Sequence, residues 1–429
     1  MKQTLVISCP ATSRSGYGDH ARDLIRSLIA MDRFDIKILD QRWGICPRDV
    51  KLESALSDIL LPVGTPLETR PDIWIQVTVP NEFQPIGTRC NIGITAGIET
   101  DRIEHTWIEG CNRMDMIIVP SMHSKQTIEM SEYHAKDNTG KIIKTAKVEK
   151  PVHVLFEGLN TDIFDKTEKA QLPISIVETL DEIKEEFCFL TVGHWLQGAP
   201  GHDRKDIGST IHTFIETFKN IQQKPALILK TSSATFSVSD REDMLKRINS
   251  IKQNISVDFS KLPNIYLLHG SLTDTEMNGL YNHPKVKAMV SFTHGEGFGR
   301  PLLEFSVTGK PTIASNWSGH TDFMGNFTFK LPGQLKEIHE STIQENIMTK
   351  GAKWFYVDYG YASKLMKEVF RKYKQYLATS RKQRKFVKDN FTIEVMNNEF
   401  TTLINDNVPK PVELNLPKLK LPKLEKTDG

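Results

Sequence analysis

The densest chemistry in the chain lies in SFTHGEGFGRPLLE, residues 291–304. Glu296 and Glu304 stand eight positions apart, and Gly295, Gly297 and Gly299 alternate around the first of them. The apolar run ending at Ser291 predicts a strand. Pro301, preorganised for a first helical turn, predicts a helix just after Gly299. The backbone amides of Gly297, Phe298 and Gly299 would then lie at a helix N-terminus, where phosphate and sugar oxygens are favoured. Glu296 falls in the loop and Glu304 in the first helical turn, so both can face one ligand. A carboxylate there accepts hydrogen bonds from sugar or ribose hydroxyls. Singly, each has a plainer use: Glu304 as a complement to the helix dipole, Glu296 as a solvated side chain. Together with the glycines and Pro301 they read as a ligand site, with His294 expected to line it.

Such a site needs elements to hold it. Thr4 to Cys9 reads as a strand, Ser13-Arg14-Ser15-Gly16-Tyr17-Gly18 as a glycine-containing loop, and Asp19 to Met31 as a helix. Further strands are predicted at 34–39, 72–79, 91–95, 116–119 and 152–155, then at 187–192, 226–230, 265–269, 288–291 and 312–314. Strands alternating with helices imply an α/β chain with parallel sheets covered on both faces. The spacing predicts two Rossmann-like, doubly wound domains facing each other across a cleft, at residues 1–165 and 187–382. Residues 166–186 read as linker and lead-in. Ligands in such sheets bind beyond the carboxyl ends of the strands. The end of the chain, VPKPVELNLPKLKLPKLEKTDG, is rich in Pro and Lys. Residues 407–429 are expected to be a flexible tail.

Composition narrows the function. The chain has 429 residues, 39% hydrophobic and 25% charged, which suits a globular protein of two or three domains. Its 55 Lys and Arg against 53 Asp and Glu give a net charge of +2. A globally basic nucleic-acid packer is excluded, though a local basic groove is not. Five scattered cysteines form no CxxC, so they are expected to be reduced and mostly buried in a cytoplasmic protein. The apolar start is too short for a signal peptide, and no run is long enough for a membrane span. No HExxH and no zinc-like spacing of His and Cys occurs, so no metal site is expected. GxSxG is absent, which disfavours a serine hydrolase. Gly16-Tyr17-Gly18 lacks the third glycine of a dinucleotide fingerprint, which disfavours hydride chemistry.

HGEGFGRPLLE resembles the Glu-x7-Glu element of the family 4 retaining glycosyltransferases, and the resemblance extends over most of the chain. Gly16, Tyr17 and Gly18 resemble that family's first glycine-rich loop, which faces the donor phosphates and the transferred sugar. FEGLNTDIF, residues 156–164, resembles its domain-boundary segment, and Val192-Gly193 with Arg204-Lys205 the start of its donor-binding domain. The resemblance implies the GT-B fold, a nucleotide diphospho-sugar as donor substrate, and no metal or other cofactor. It implies that Glu296 contacts the donor sugar, Glu304 the ribose and Lys205 the diphosphate. It also implies a final helix, residues 383–406, crossing back to the first domain. The family's arginine after Gly193 is replaced by His194, and residues 195–202 lengthen the loop. Arg204 can supply the missing cation, so that two cations stabilise the leaving diphosphate. Outside this context Arg204 and Lys205 read as a solvated pair before a helix.

ITAGIETDRI, residues 94–103, is similar to a branch of the family with Glu-Thr-Asp after a strand. Glu99 and Asp101 would then face the acceptor and could take its proton. For Asp101 a helix N-cap is an equal reading. The phrases VGHWLQGAPGHDRKD, LPNIYLLHGSLTD and SNWSGHTDF resemble glycosyltransferases encoded by T-even-like phages. That resemblance implies transfer of glucose or arabinose to 5-hydroxymethylcytosine, with double-stranded DNA as a partner. Lysines and arginines gather at 141–150 and 371–388. They read either as solvated helix faces or as a phosphate-tracking groove. The same chemistry on a glycan, lipid or protein, and a sugar-nucleotide epimerase or binding module, are the alternatives. No amphipathic insertion helix is evident, and the oligomeric state is open.

Overall fold

The computed structural model of the chain describes residues 2–410, apart from 63, 197, 198, 200, 234, 235, 256 and 257. Most of the expected Pro/Lys tail, and part of the lengthened loop after His194, lie outside the described residues.

The first lobe runs β1 (Gln3–Cys9), α1 (Gly16–Ala30), β2 (Phe34–Asp40), α2 (Ser54–Ser57), β3 (Ile73–Val77) and β4 (Cys90–Ile94). It continues with α3 (His105–Arg113), β5 (Met116–Val119), α4 (Met122–Met130), β6 (Tyr133–Lys136), β7 (Ile142–Ala146) and β8 (Val152–Val154). Six of these strands form one parallel sheet, in the order β2-β1-β3-β4-β5-β8. Strands such as Ile73–Val77 are buried along their whole length, as a sheet covered on both faces requires.

A helix, α5 (Ile174–Asp181), leads into the second lobe and buries Ile176 and Leu180. Then come β9 (Cys188–Val192), α6 (Ile207–Phe218), β10 (Ala226–Lys230), α7 (Val238–Gln253), β11 (Ile265–Leu268) and α8 (Asp274–Asn282). They are followed by β12 (Val286–Ser291), α9 (Arg300–Ser306), β13 (Thr312–Ser315), α10 (Thr321–Met324) and β14 (Phe329–Leu331). The second sheet is again parallel and six-stranded, ordered β11-β10-β9-β12-β13-β14. Strand order reverses between β9 and β12, and in the first sheet between β1 and β3. Each reversal opens a crevice at the carboxyl ends of the strands. The two lobes face each other across a cleft, as in the GT-B architecture.

An antiparallel arm, β15 (Gly333–Glu337) and β16 (Lys353–Val357), precedes α11 (Tyr359–Arg371), α12 (Tyr373–Asn390) and α13 (Ile393–Asn407). The single final helix read from the sequence is two helices. The chain breaks at Phe391, and the Thr392 side chain accepts from the Val395 amide to start α13. Met396, Phe400 and Ile404 form a fully buried stripe on α13, which packs on α1. Residues 141–150 also differ from a helix face. The turn 137–140, with Gly140 at φ +84°, and the β-branched Ile142, Ile143 and Thr145 fold them into an exposed two-stranded ribbon with β6.

Candidate active site

The loop after β12 and the loop after β9 meet at the second sheet's reversal point. Glu296 is its charged centre. Lys205 donates to both carboxylate oxygens, at 2.6 and 2.8 Å, and Arg204 Nη1 lies 3.3 Å from Oε2. The same Arg204 nitrogen reaches Glu99 Oε1 at 3.2 Å and the Gly295 carbonyl at 3.1 Å. Two anions and two cations thus alternate across the cleft, with Glu99 supplied by the first lobe. Burial would raise the Glu296 carboxyl, but Lys205 and Arg204 outweigh it and hold the group at about 2. The Lys205 ammonium is pulled down by burial, with Glu296 opposing. Ser318 Oγ accepts the Glu296 amide at 2.8 Å, which fixes the loop.

The glycines are there for close approach. A Cβ on Gly295 would lie 2.4 Å from the Glu99 carbonyl oxygen, and one on Gly297 2.5 Å from that of Ala96. The loop therefore rests directly on backbone of the first lobe, and Ser121 Oγ donates to the Gly297 carbonyl at 2.7 Å. Gly299 adopts φ +96°, a left-handed turn into α9. The amides of Gly297, Phe298 and Gly299 find no acceptor among the described residues. The Phe298 ring is core, 5.2 Å from Phe323, so only its backbone can serve a ligand.

Glu304 lies in the second turn of α9 rather than the first, because the helix begins at Arg300. Tyr281 Oη donates to it at 3.0 Å, and Arg300 Nε lies 3.8 Å away. Burial pushes Glu304 up to about 7, opposed by Arg300. Glu157, from the loop after β8, is pushed to about 7 by the same cause. Arg300 binds Asp23 of α1 at 2.9 Å and lies 3.7 Å from Glu157. One half-buried guanidinium thereby joins three carboxylates from both lobes.

In the first lobe, Ser15 caps α1 by accepting the Gly18 amide at 3.1 Å. Gly16 has open space where a Cβ would go, whereas on Gly18 it would strike the Ser13 carbonyl at 2.3 Å. Tyr17 stacks on Trp43 at 3.9 Å, and its hydroxyl lies 3.0 Å from Thr95 Oγ1 and accepts the Ala96 amide at 3.0 Å. Tyr17 thus holds the backbone on which Gly297 rests. Asp101 is tied to the arm: its amide donates to the Lys353 carbonyl at 2.8 Å, and its carboxylate accepts the Lys353 amide at 2.7 Å. The N-cap of α3 is Glu104, not Thr100 or Asp101. His294 is fully buried, with Nδ1 2.7 Å from the Phe355 carbonyl and Nε2 3.1 Å from that of Gly201. Both ring nitrogens face backbone, so the ring braces the loop against the arm.

Sequence reasoning missed Arg300 and Glu157, and also Lys230. Lys230 ends β10 at the same edge of the sheet, is lowered to about 8 by burial, and donates to the Gly270 carbonyl at 2.6 Å. Its signal was available: a lysine closing an otherwise apolar strand, ALILK. Beside it His269 and Asp240 pair at 2.7 Å. No group of three or more His, Cys, Asp or Glu side chains that could hold a metal ion occurs among the described residues. No helix among them is long and apolar enough to cross a membrane.

No family model matches the chain, and no curated protein matches it in sequence. Solved structures do match in fold. Anabaena HepE in complex with UDP-glucose superposes with a TM-score of 0.58 at 12% identity, covering 94% of this chain and 100% of that one. A sucrose-phosphate synthase from Thermosynechococcus elongatus gives 0.63 at 12%, covering 94% and 99%. A glycosyltransferase from Rickettsia africae gives 0.58 at 13%, covering 95% and 99%. At such identities the likeness establishes the fold alone, and it covers nearly the whole chain.

Proposed function

We propose that the chain is a retaining glycosyltransferase that moves a sugar from a nucleotide diphospho-sugar to an acceptor hydroxyl. One observation carries the reading: Glu296, buried and ionised between Lys205 and Arg204, stands in the cleft opposite Glu99. The fold likeness to a protein bound to UDP-glucose supports the donor class.

In this reading Glu304 accepts the ribose hydroxyls. Arg204 and Lys205 turn from Glu296 towards the diphosphate as it arrives and stabilise its charge as it leaves. Glu296 orients the sugar, with the Gly297, Phe298 and Gly299 amides beside it. Gly16 and Gly18 close from the first lobe. The bond from the anomeric carbon to the phosphate oxygen breaks while the bond to the acceptor oxygen forms on the same face. The acceptor proton passes to the leaving phosphate or to Glu99. Asp101 acts at one remove, by holding the Glu99 loop against the arm.

For the acceptor we infer 5-hydroxymethylcytosine in phage DNA. This is supported by the resemblance of residues 192–206, 262–274 and 315–323 to phage enzymes and by lysines on the first lobe that take part in no ion pair among the described residues. A sugar acceptor is the second reading, favoured by the fold likeness to a sucrose-phosphate synthase. One experiment tests both. The protein is incubated with a panel of nucleotide sugars and a duplex containing 5-hydroxymethylcytosine, and the nucleosides are read by mass spectrometry. A hexose or pentose increment on the modified base is expected. Release of free nucleotide with unmodified DNA keeps the transferase and moves the acceptor to a glycan, lipid or protein. No turnover of any donor overturns the reading.

A further inference from the structure

We propose that the β6–β7 ribbon grips duplex DNA, lying in its major groove with its lysines on the flanking phosphates. The inference rests on the DNA reading of the acceptor. Of the two basic runs in the sequence, this one has none of its lysines in an ion pair among the described residues, whereas Arg384, Lys385 and Lys388 of the other are engaged. In α12, Arg384 and Lys388 bind Asp165 at 2.7 and 2.5 Å, and Arg384 also donates to the Val307 carbonyl. Those charges fasten the C-terminal helices to the end of the first lobe. Lys136, Lys141, Lys144, Lys147 and Lys150 take part in no ion pair among the described residues. The acid at the ribbon tip is already engaged. Asp137 accepts the Thr139 amide at 2.9 Å, its hydroxyl at 2.6 Å and the Lys141 amide at 3.0 Å, which closes the turn.

Shape agrees with charge. Both faces of the ribbon are exposed, and within its two strands Tyr133 and Ala146 at the base are the residues partly covered. A two-stranded antiparallel ribbon is one of the shapes the major groove admits. The 5-substituent of a pyrimidine opens on that same groove. Ile142 and Ile143 are 48% and 66% exposed between Lys141 and Lys144, placing apolar atoms where base edges would lie. The ribbon is joined to the site loop. Tyr133 Oη donates to the Ile103 carbonyl at 2.7 Å, and Ser131 Oγ accepts the Ile103 amide at 3.0 Å. Ile103 follows Glu99 and Asp101 in one loop. A bilayer is the poorer partner: the tip, Asp137-Asn138-Thr139-Gly140, is polar and carries no aromatic anchor.

The test is equilibrium binding of the full chain to a labelled duplex containing 5-hydroxymethylcytosine across a salt series. Wild type is compared with a triple variant, K136A/K141A/K144A, and a charge-keeping one, K136R/K141R/K144R. Each phosphate contact contributes about 0.9 to the slope of log K against log salt. The alanine variant should lose about 2.7 of that slope by the same count, and the arginine variant should keep it. Nucleotide-sugar binding should be unchanged in both, which shows the donor site intact. A wild-type slope in the alanine variant overturns the ribbon grip while leaving a DNA acceptor in place. Failure of the wild type to bind the duplex even at low salt overturns the grip and the DNA acceptor together. Lysine-dependent binding to anionic phospholipid vesicles with no duplex binding overturns it in favour of a membrane surface.

Discussion

In E296A the Lys205 ammonium, which donates to Glu296 at 2.6 and 2.8 Å, is stranded in a buried site, while Arg204 keeps Glu99 at 3.2 Å. Breaking a buried pair by removing one partner destabilises by about 3–5 kcal/mol. The free energy of unfolding should therefore fall by about that amount near neutral pH. The pH dependence gives a second check. A carboxylate held at about 2, against an ordinary value of 4.5, contributes stability that is complete above pH 4.5 and lost as pH falls towards 2. The deficit of the variant should shrink over that window. A nucleoside diphosphate brings negative charge back to Lys205. Its affinity should be kept or increased, and it should raise the melting temperature of E296A more than that of wild type. Turnover should behave differently. Losing a preorganised group at the reacting sugar lowers kcat by about 100- to 1,000-fold. The assays are calorimetric titration with UDP and release of UDP from UDP-glucose. Wild-type kcat in E296A would refute the assignment. So would a loss of UDP affinity as large as the loss of turnover, because Glu296 would then serve the nucleotide.

Three further outcomes follow from the same geometry. Because Glu304 and Glu157 are raised to about 7 from 4.5, folding takes up protons between those values, so stability should fall as pH rises through that range. Donor affinity should rise over the upper part of it as Glu304 ionises, and E304Q, measured by UDP titration at several pH values, should flatten that rise. R300M leaves Asp23, Glu157 and Glu304 without their shared cation and should cost about 3–5 kcal/mol in chemical denaturation, more at pH 8 than at pH 6. G297A, whose Cβ would meet the Ala96 carbonyl at 2.5 Å, should lower turnover sharply while UDP binding to the second lobe changes little. Equal loss of both would mean that the loop, not the contact between lobes, is damaged.

The fold was readable because parallel strands buried on both faces leave largely apolar runs such as FCFLTV and IWIQV, and the helices between them begin at caps such as Ser15. The Glu296 loop was readable because glycines at alternate positions have a steric cause, the first-lobe backbone lying against them. Arg300 was not readable. Its partners Asp23 and Glu157 are 277 and 143 positions away, and only the closing of the two lobes brings them together. The arm was missed because GQLKE, exposed throughout, has no apolar face to betray a strand until it pairs with KWFYV. His294 shows the same limit: its loop position points to a ligand, and only the folded chain sets the backbone carbonyls of Phe355 and Gly201 against its two ring nitrogens.

The arm also bears on how the protein can move. The lobes are joined covalently where the chain passes from β8 to α5, and Leu159 and Ile393 hydrogen-bond there at 2.8 Å. Helix α13 adds its buried stripe on one face of the first sheet. The arm reaches the opposite face: Trp107 donates to the Asn346 carbonyl at 2.7 Å, and Ile347 and Met348 pack in that face's core. A plate held on one face swings like a door, but a plate held on both faces can only turn about the line between its fastenings. Wide gaping of the cleft therefore requires the arm to unlatch first, and an intact arm confines the lobes to a narrow twisting motion. The slow step for a bulky acceptor would then be set by the rate at which a short antiparallel arm lets go, a quantity that neither lobe possesses alone.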